Sequence, residues 1–120
     1  MDQHEEDYEL SPNAFWGMTG PQYIMQIAPR ELHSRYGMPI NDGDAESLGT
    51  YVFMSKGGAV VTVYYRANDV WSLLLKLVKP IFWRSKSPVE LKIAAENPHE
   101  GKLFAQWLSS RFGVSHRVWP

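Results

Sequence analysis

The chain has 120 residues, of which 44% are hydrophobic and 21% are charged, and its formal net charge is −1. These values predict one globular domain with a hydrophobic core, without room for a second domain or a long disordered region. No apolar run reaches the roughly 18–20 residues of a membrane span, and cysteine is absent, which excludes disulfides and thiolate metal sites. The acidic start MDQHEEDYEL is unlike a signal peptide, so we expect a cytoplasmic protein.

Charge is distributed unevenly along the sequence. Residues 1–46 carry nine acidic and two basic side chains, whereas residues 47–120 carry four acidic and ten basic ones. Folding could place the two signs on separate faces, which would steer a charged partner, or it could mix them over the surface. The sequence leaves both arrangements open.

The first third of the chain predicts a tail, helical pieces and a loop. Residues 1–13 are acidic and polar and predict a flexible tail, followed by a single α+β domain over residues 14–120. The segment PQYIMQIAPRELHSRYGMP predicts two short helices, because Pro21 and Pro29 each suit the first turn of a helix. Gly37 suits the left-handed residue that follows a helix. INDGDAES then predicts an acidic loop.

A β-hairpin is the clearest strand pattern. LGTYVFMS and AVVTVYYRA are rich in β-branched and aromatic residues, and the KGG between them permits a tight turn. We place the strands near 49–55 and 59–66. Both faces of the second strand are fairly apolar, so we expect it to be central in the sheet.

The second half predicts a helix, a strand, a longer helix and an edge strand. NDVWSLLLKLVKP has an apolar helical stripe and is expected to end at Pro80. PVELKIA alternates and predicts a strand. PHEGKLFAQWLSSRFG follows the cap residue Asn97 and predicts the best-defined helix. Its expected buried stripe comprises Leu103, Phe104, Trp107, Leu108 and Phe112. VSHRVW suits a last edge strand.

These elements together predict an α+β fold. We expect a small three- to four-stranded, mainly antiparallel sheet, formed by the hairpin 49–66 and the strand 88–94. The apolar stripes of the helices would be buried by packing on this sheet.

One catalytic alternative rests on Glu90 and Lys92. A Glu-x-Lys strand resembles the core of PD-(D/E)xK nucleases, in which an upstream aspartate and the glutamate hold a divalent metal and the lysine helps to activate water. Asp69 is the plausible upstream carboxylate here. The same alternation also describes an ordinary half-exposed strand, which we favour, so we expect no metal, no cofactor and no enzymatic activity.

A second alternative is a nucleic-acid-binding module in the stretch 76–86. Lys76, Lys79, Arg84 and Lys86 surround Phe82 and Trp83, a mixture that suits phosphate contacts and base stacking. The sequence pI of about 6.4 argues against a dedicated nucleic-acid protein.

Aromatic residues favour a protein interface instead. The chain has five tryptophans, six tyrosines and five phenylalanines, and tryptophan and tyrosine are enriched where surfaces bind other proteins. The predicted partner-binding residues are Trp16 and Trp83 in expected loops and Asp42, Asp44 and Glu46 in the acidic loop, which would meet a basic partner.

In size and pattern the chain resembles the small α+β accessory proteins of bacteria, which include immunity proteins that neutralise a cognate toxin. This resemblance implies a non-enzymatic domain that binds one protein partner. The sequence therefore predicts a protein-binding domain of that kind, with the nuclease and the nucleic-acid module as alternatives.

Overall fold

The structure, a computed structural model of the chain, describes residues 7–14, 19–40, 47–66 and 79–119. In these residues one antiparallel sheet of six strands is accompanied by three helices. The strands are β1 (Tyr8–Leu10), β2 (Gly20–Ile27), β3 (Ser47–Ser55), β4 (Val60–Arg66), β5 (Val89–Ala95) and β6 (His116–Val118). The helices are α1 (Pro29–Tyr36), α2 (Lys79–Trp83) and α3 (Pro98–Phe112). The α+β class is confirmed, but the prediction of a three- to four-stranded sheet is wrong.

The largest difference between the predicted and the observed fold is strand β2. The sequence predicted a helix at Pro21, but Gly20–Ile27 is a strand that lies between β5 and β6 in the order β1-β3-β4-β5-β2-β6. Pro21 stands at a register shift in the pairing with β5, a position where a strand tolerates proline. Ile24 is buried on the face opposite Met25, so the strand lacks the alternation that would have revealed it.

Short strands form both edges of the sheet. β6 pairs with β2 and confirms the predicted edge strand. β1 pairs with β3 and lies within residues 1–13, for which the sequence predicted a flexible tail. The ring of Tyr8 is buried against Phe104 and Trp107, with centroid distances of 5.0 Å to each. This aromatic anchor explains how three residues of an acidic segment join the sheet.

The hairpin and the strand after it are confirmed. β3 and β4 pair antiparallel, with Tyr51 opposite Val63 and Phe53 opposite Val61. β4 also pairs with β5 and is therefore an interior strand, as expected. In the turn between β3 and β4, Gly58 has a φ of 90°, which favours glycine.

The helices that the sequence defined by their terminal residues are also confirmed. α1 begins at Pro29 and ends at Gly37, whose φ is 77°. At the start of α3, Asn97 Oδ1 accepts a hydrogen bond of 2.9 Å from the backbone N–H of Glu100. The helix predicted before Pro80 falls mainly on residues 67–78, outside the described residues. Pro80 itself lies in the first turn of α2, where proline fits, instead of ending a helix.

The hydrophobic core lies between α3 and one face of the sheet. Its fully buried members include Met25, Tyr51, Phe53, Val61, Val63, Leu91, Ile93, Phe104 and Leu108. Trp83 of α2 closes one end of the core, where its indole N–H donates a 2.8 Å hydrogen bond to the Leu48 carbonyl. None of the helices in the described part of the chain is long and apolar enough to cross a membrane.

Candidate binding cleft

A cleft of about 780 Å³ runs along the outer face of α3. Its walls come from the start of β1, the last turn of α1, the turn between β3 and β4 at residues 55–57, and α3 between Glu100 and Arg111. We call this feature the α3 cleft. Because these segments are far apart in the sequence, the cleft exists only in the folded chain.

Aromatic and aliphatic side chains form the floor of the α3 cleft. Tyr8 and Trp107 are largely buried, and both line the cleft. Leu103 was predicted to be buried in the core, but its side chain is 42% exposed. The physical reason is that consecutive helical residues point about 100° apart, and Phe104 occupies the core position. The cleft therefore offers exposed apolar surface beside aromatic rings.

Two carboxylates define one end of the α3 cleft. Burial, together with the negative charges of Glu100 and Asp7, raises the pKa of the Tyr8 hydroxyl to about 12. The hydroxyl therefore stays protonated at neutral pH and can donate a hydrogen bond. Asp7, which precedes Tyr8 in the sequence, and Glu100, which lies in the first turn of α3, both line the cleft.

Two arginines define the other end. The Arg111 guanidinium lies 5.1 Å from the centre of the Trp107 ring, a cation–π distance. Arg35 lies in the last turn of α1, and the ring of the next residue, Tyr36, is 6.3 Å from that of Phe112. Cations in the last turn of a helix also complement its dipole. The α3 cleft thus contains charges from the acidic and the basic parts of the sequence, so folding mixes the two signs here.

The predicted catalytic pair lies elsewhere, on the sheet face opposite α3. Arg117 forms a 2.8 Å ion pair with Glu90, and both side chains are 56% exposed, so the pair contributes little stability. Lys92 Nζ lies 4.5 Å from the centre of the Trp119 ring. Asp69 is outside the described residues, so the nuclease alternative stays a prediction. Within the residues that the structure describes, no group of three histidine or carboxylate side chains could hold a metal ion.

Most of the predicted partner-binding residues cannot be placed. Trp16, Asp42, Asp44 and Glu46 lie outside the described residues. Trp83 is fully buried and packs edge-on against Tyr51 at a centroid distance of 5.3 Å. Its indole has no exposed surface through which it could contact a partner, so the predicted role does not fit this position.

The structure also changes the interpretation of the basic stretch 76–86. The Phe82 ring packs against Tyr65 and Trp83, at centroid distances of 4.7 Å and 5.0 Å. Both rings proposed for base stacking therefore take part in internal packing. Arg84 and Lys86 are exposed, while Lys76 lies outside the described residues. In the described part of this stretch, Arg84 and Lys86 could still contact phosphates, but the two rings are engaged in internal packing instead of being available for base stacking.

One serine–histidine pair was not foreseen. Ser109 Oγ lies 2.6 Å from His116 Nδ1 and joins the last turns of α3 to β6. In catalytic triads a third group orients the histidine. No carboxylate contacts the other ring nitrogen of His116 among the described residues. The pair accordingly serves as a tie between two elements.

The residues of the α3 cleft were missed because they come from four separate segments. One signal was available in the helix pattern. Leu103 and Trp107 are four residues apart, as are Phe104 and Leu108, so the apolar surface of α3 spans two adjacent stripes. A stripe wider than one buried face indicates that part of it lies outside the core.

A comparison with known proteins finds no family model that matches the chain and no curated protein with a significant match.

Proposed function

We propose that the chain is a non-enzymatic protein-binding domain that binds one partner through the α3 cleft. The observation that carries this proposal is the combination of exposed Leu103 with the Tyr8 and Trp107 rings, inside a charged rim. Protein interfaces commonly have an apolar or aromatic centre surrounded by polar residues, and tryptophan, tyrosine and arginine dominate their binding energy. The cleft brings all three of these residue types together.

The lining of the cleft supports binding more than catalysis. The serines on its walls are Ser55 and Ser110, and the described Ser109–His116 pair is not part of the lining. Ser55 Oγ is engaged by the backbone N–H of Ala59 at 3.0 Å, within the β3–β4 turn. Among the described lining residues, Ser55 is therefore held within a turn, while the exposed apolar and charged surfaces of the cleft suit contact with a partner.

We further propose a toxin as the partner, so that the chain acts as an immunity protein. The support is the resemblance in size and pattern to small bacterial accessory proteins. An immunity protein needs a stable, stoichiometric complex and no chemistry of its own, which fits the use of the cleft as a contact surface.

Site-specific crosslinking tests the binding proposal. A photo-activatable residue replaces Gln106, which is exposed in the cleft, and in a control protein it replaces Gln26, which is exposed on strand β2. Crosslinking is carried out in the native host, and the captured protein is then purified and mixed with the unmodified chain. We expect capture from position 106 alone and a 1:1 complex in light scattering after gel filtration.

A pair of matched variants locates the binding surface. Leu103→Asp places a charge in the cleft, whereas Ile81→Asp places one on an apolar side chain that is 70% exposed and outside it. We expect the first variant to lose the complex and the second to retain it, with unchanged circular dichroism in both. Equal binding by both variants would reject the cleft as the interface.

The toxin proposal has its own readout. The captured protein is expressed alone and together with the chain in a test strain. Arrested growth that the wild-type chain restores, and that Leu103→Asp does not, is the expected result. If the captured protein leaves growth unchanged, toxin neutralisation is rejected while the binding function stands.

A further inference from the structure

The α3 cleft has a direction, and this direction constrains what can bind there. Along the outer face of α3, Glu100 lies in the first turn, Leu103 and Trp107 in the middle and Arg111 in the last turn. Eleven residues of helix rise by about 16 Å, which is three turns. The acidic, apolar and basic residues therefore follow one another along α3, and the Arg111 guanidinium reaches back over the Trp107 ring.

Each end contains a second charge of the same sign from another element. Asp7 acts on the Tyr8 hydroxyl together with Glu100, and Arg35 lies at the α1 end that packs near Phe112. Lys56, in the turn between β3 and β4, adds one cation on the wall near Tyr8, since its neighbour Ser55 is the cross-strand partner of Tyr8. The acidic end keeps a formal excess of one negative charge, and the basic end has two positive charges.

We infer that the α3 cleft takes one helical segment of the protein partner, about three turns long and antiparallel to α3, with an acidic residue in its first turn and a basic residue in its last. This inference rests on the proposed protein-binding function. An antiparallel segment places its acidic start against Arg35 and Arg111 and its basic end against Asp7 and Glu100. The same charge order stabilises the segment's own helix, because acids favour a helix start and bases favour its end. Apolar side chains between them cover Leu103 and Trp107.

Selection from a peptide library tests the inference without knowledge of the partner. The full-length protein is immobilised and used to select from a phage-displayed library of random peptides about 16 residues long, long enough for three helical turns. We expect enriched peptides with apolar residues three or four positions apart, an acidic residue before them and a basic residue after them. Opposite charge order, apolar residues at alternate positions as in strand addition, or no enrichment would each overturn the inference.

Synthetic copies of the selected peptides then measure which contacts matter. Leu103→Asp should weaken binding more than tenfold, and Arg111→Gln should weaken it roughly two- to fivefold, as expected for the loss of one charge pair at a partly exposed position. Lys102→Gln is the control, because Lys102 is exposed on α3 but does not line the cleft. Unchanged binding to Leu103→Asp would contradict the inference.

A charge-reversed protein gives the sharpest result. The double variant with Glu100→Arg and Arg111→Glu reverses the order of charges along α3. It should select peptides with the reversed order, and circular dichroism establishes that α3 is retained. If this variant does not fold, the single Arg111→Gln comparison still decides the contribution of the basic end.

Two other occupants are distinguished by the same proteins. If peptides bind only after residues 1–6 are deleted, the cleft is filled by the chain's own acidic start, and the inference is wrong. If the wild type forms dimers in sedimentation and Leu103→Asp does not, the occupant is a second copy, and the inference is again wrong. A crosslinked partner that needs Leu103 but contacts it through a strand or loop would reject the helical segment alone and leave the proposed function intact.

Discussion

The two faces of α3 differ more than their sequence suggests. Phe104, Ala105 and Leu108 face the sheet and have no exposed surface, while Leu103 on the other face is 42% exposed. Trp107 lies between the two faces, because its ring packs against Tyr8 and Phe53 while the residue also lines the cleft. The inner face of α3 therefore determines stability, and the outer face is available for binding. Residues of the two faces, such as Leu103 and Phe104, are neighbours in the sequence.

The largest expected effect is on the inner face. The Phe104 ring packs against Tyr8 at 5.0 Å and Phe53 at 5.3 Å between centroids. Phe104→Ala should lower the free energy of unfolding by about 3–5 kcal/mol, because it removes buried apolar surface and leaves a cavity. Urea denaturation measures this change. A loss as small as that of an exposed residue would show that the two faces of α3 do not differ.

The next effect depends on pH and on the tyrosine that connects β1 to α3. The folded state raises the Tyr8 pKa from 10.0 to about 12, chiefly through burial. A raised pKa means that the folded chain holds the proton more tightly, so this contribution is complete below pH 10 and is lost between pH 10 and about 12. Because the hydroxyl is partly accessible to solvent, which screens its interactions, the loss should be less than the full shift corresponds to, roughly 1–2 kcal/mol.

The Tyr8→Phe variant isolates that contribution. Tyr51 also makes stability depend on alkaline pH, because burial raises its pKa well above the ordinary value, and it remains in both proteins. Denaturation at several alkaline pH values measures the free energy of unfolding of both proteins. As the pH rises from 10 to about 12, the wild type should lose stability faster than the variant. Parallel loss in the two proteins would refute the assignment to Tyr8.

A smaller effect is expected where α3 approaches β2. A methyl group on Gly101 would lie 2.8 Å from Gln22 Cβ. Alanine is the better helix former by about 1 kcal/mol, but relieving this overlap should cost more, so Gly101→Ala should destabilise by about 1 kcal/mol net. Lys102→Ala, on an exposed position of the same turn, is the control. A higher melting temperature for Gly101→Ala would contradict this packing.

The smallest effect is expected on the outer face. Leu103→Ala should change the free energy of unfolding by less than about 0.5 kcal/mol, because much of the side chain is already in contact with water. The same urea denaturation measures it beside Phe104→Ala. A loss above about 2 kcal/mol, the range of buried leucines, would place Leu103 in the core and remove the basis of the binding proposal.

Local signals explain which elements the sequence predicted correctly. Asn97, Pro98 and Gly113 define the ends of α3, and the KGG turn defines the hairpin, because capping and turn geometry depend on a few adjacent residues. The prediction for β2 was wrong for the opposite reason. A strand paired on both sides and partly buried on both faces lacks alternation, and Pro21 acted as a false helix signal.

The sequence by itself determined the α+β class, the hairpin and the limits of α1 and α3, since these follow from backbone preferences within a few residues. Only the tertiary structure decided that the sheet has six described strands, that Trp83 is in the core and that Leu103 is outside it. It also decided that Asp7, Arg35, Glu100 and Arg111 share one cleft. The physical reason is that contacts between residues distant in the sequence determine which part of an apolar stripe is buried, and a local sequence pattern does not specify those contacts.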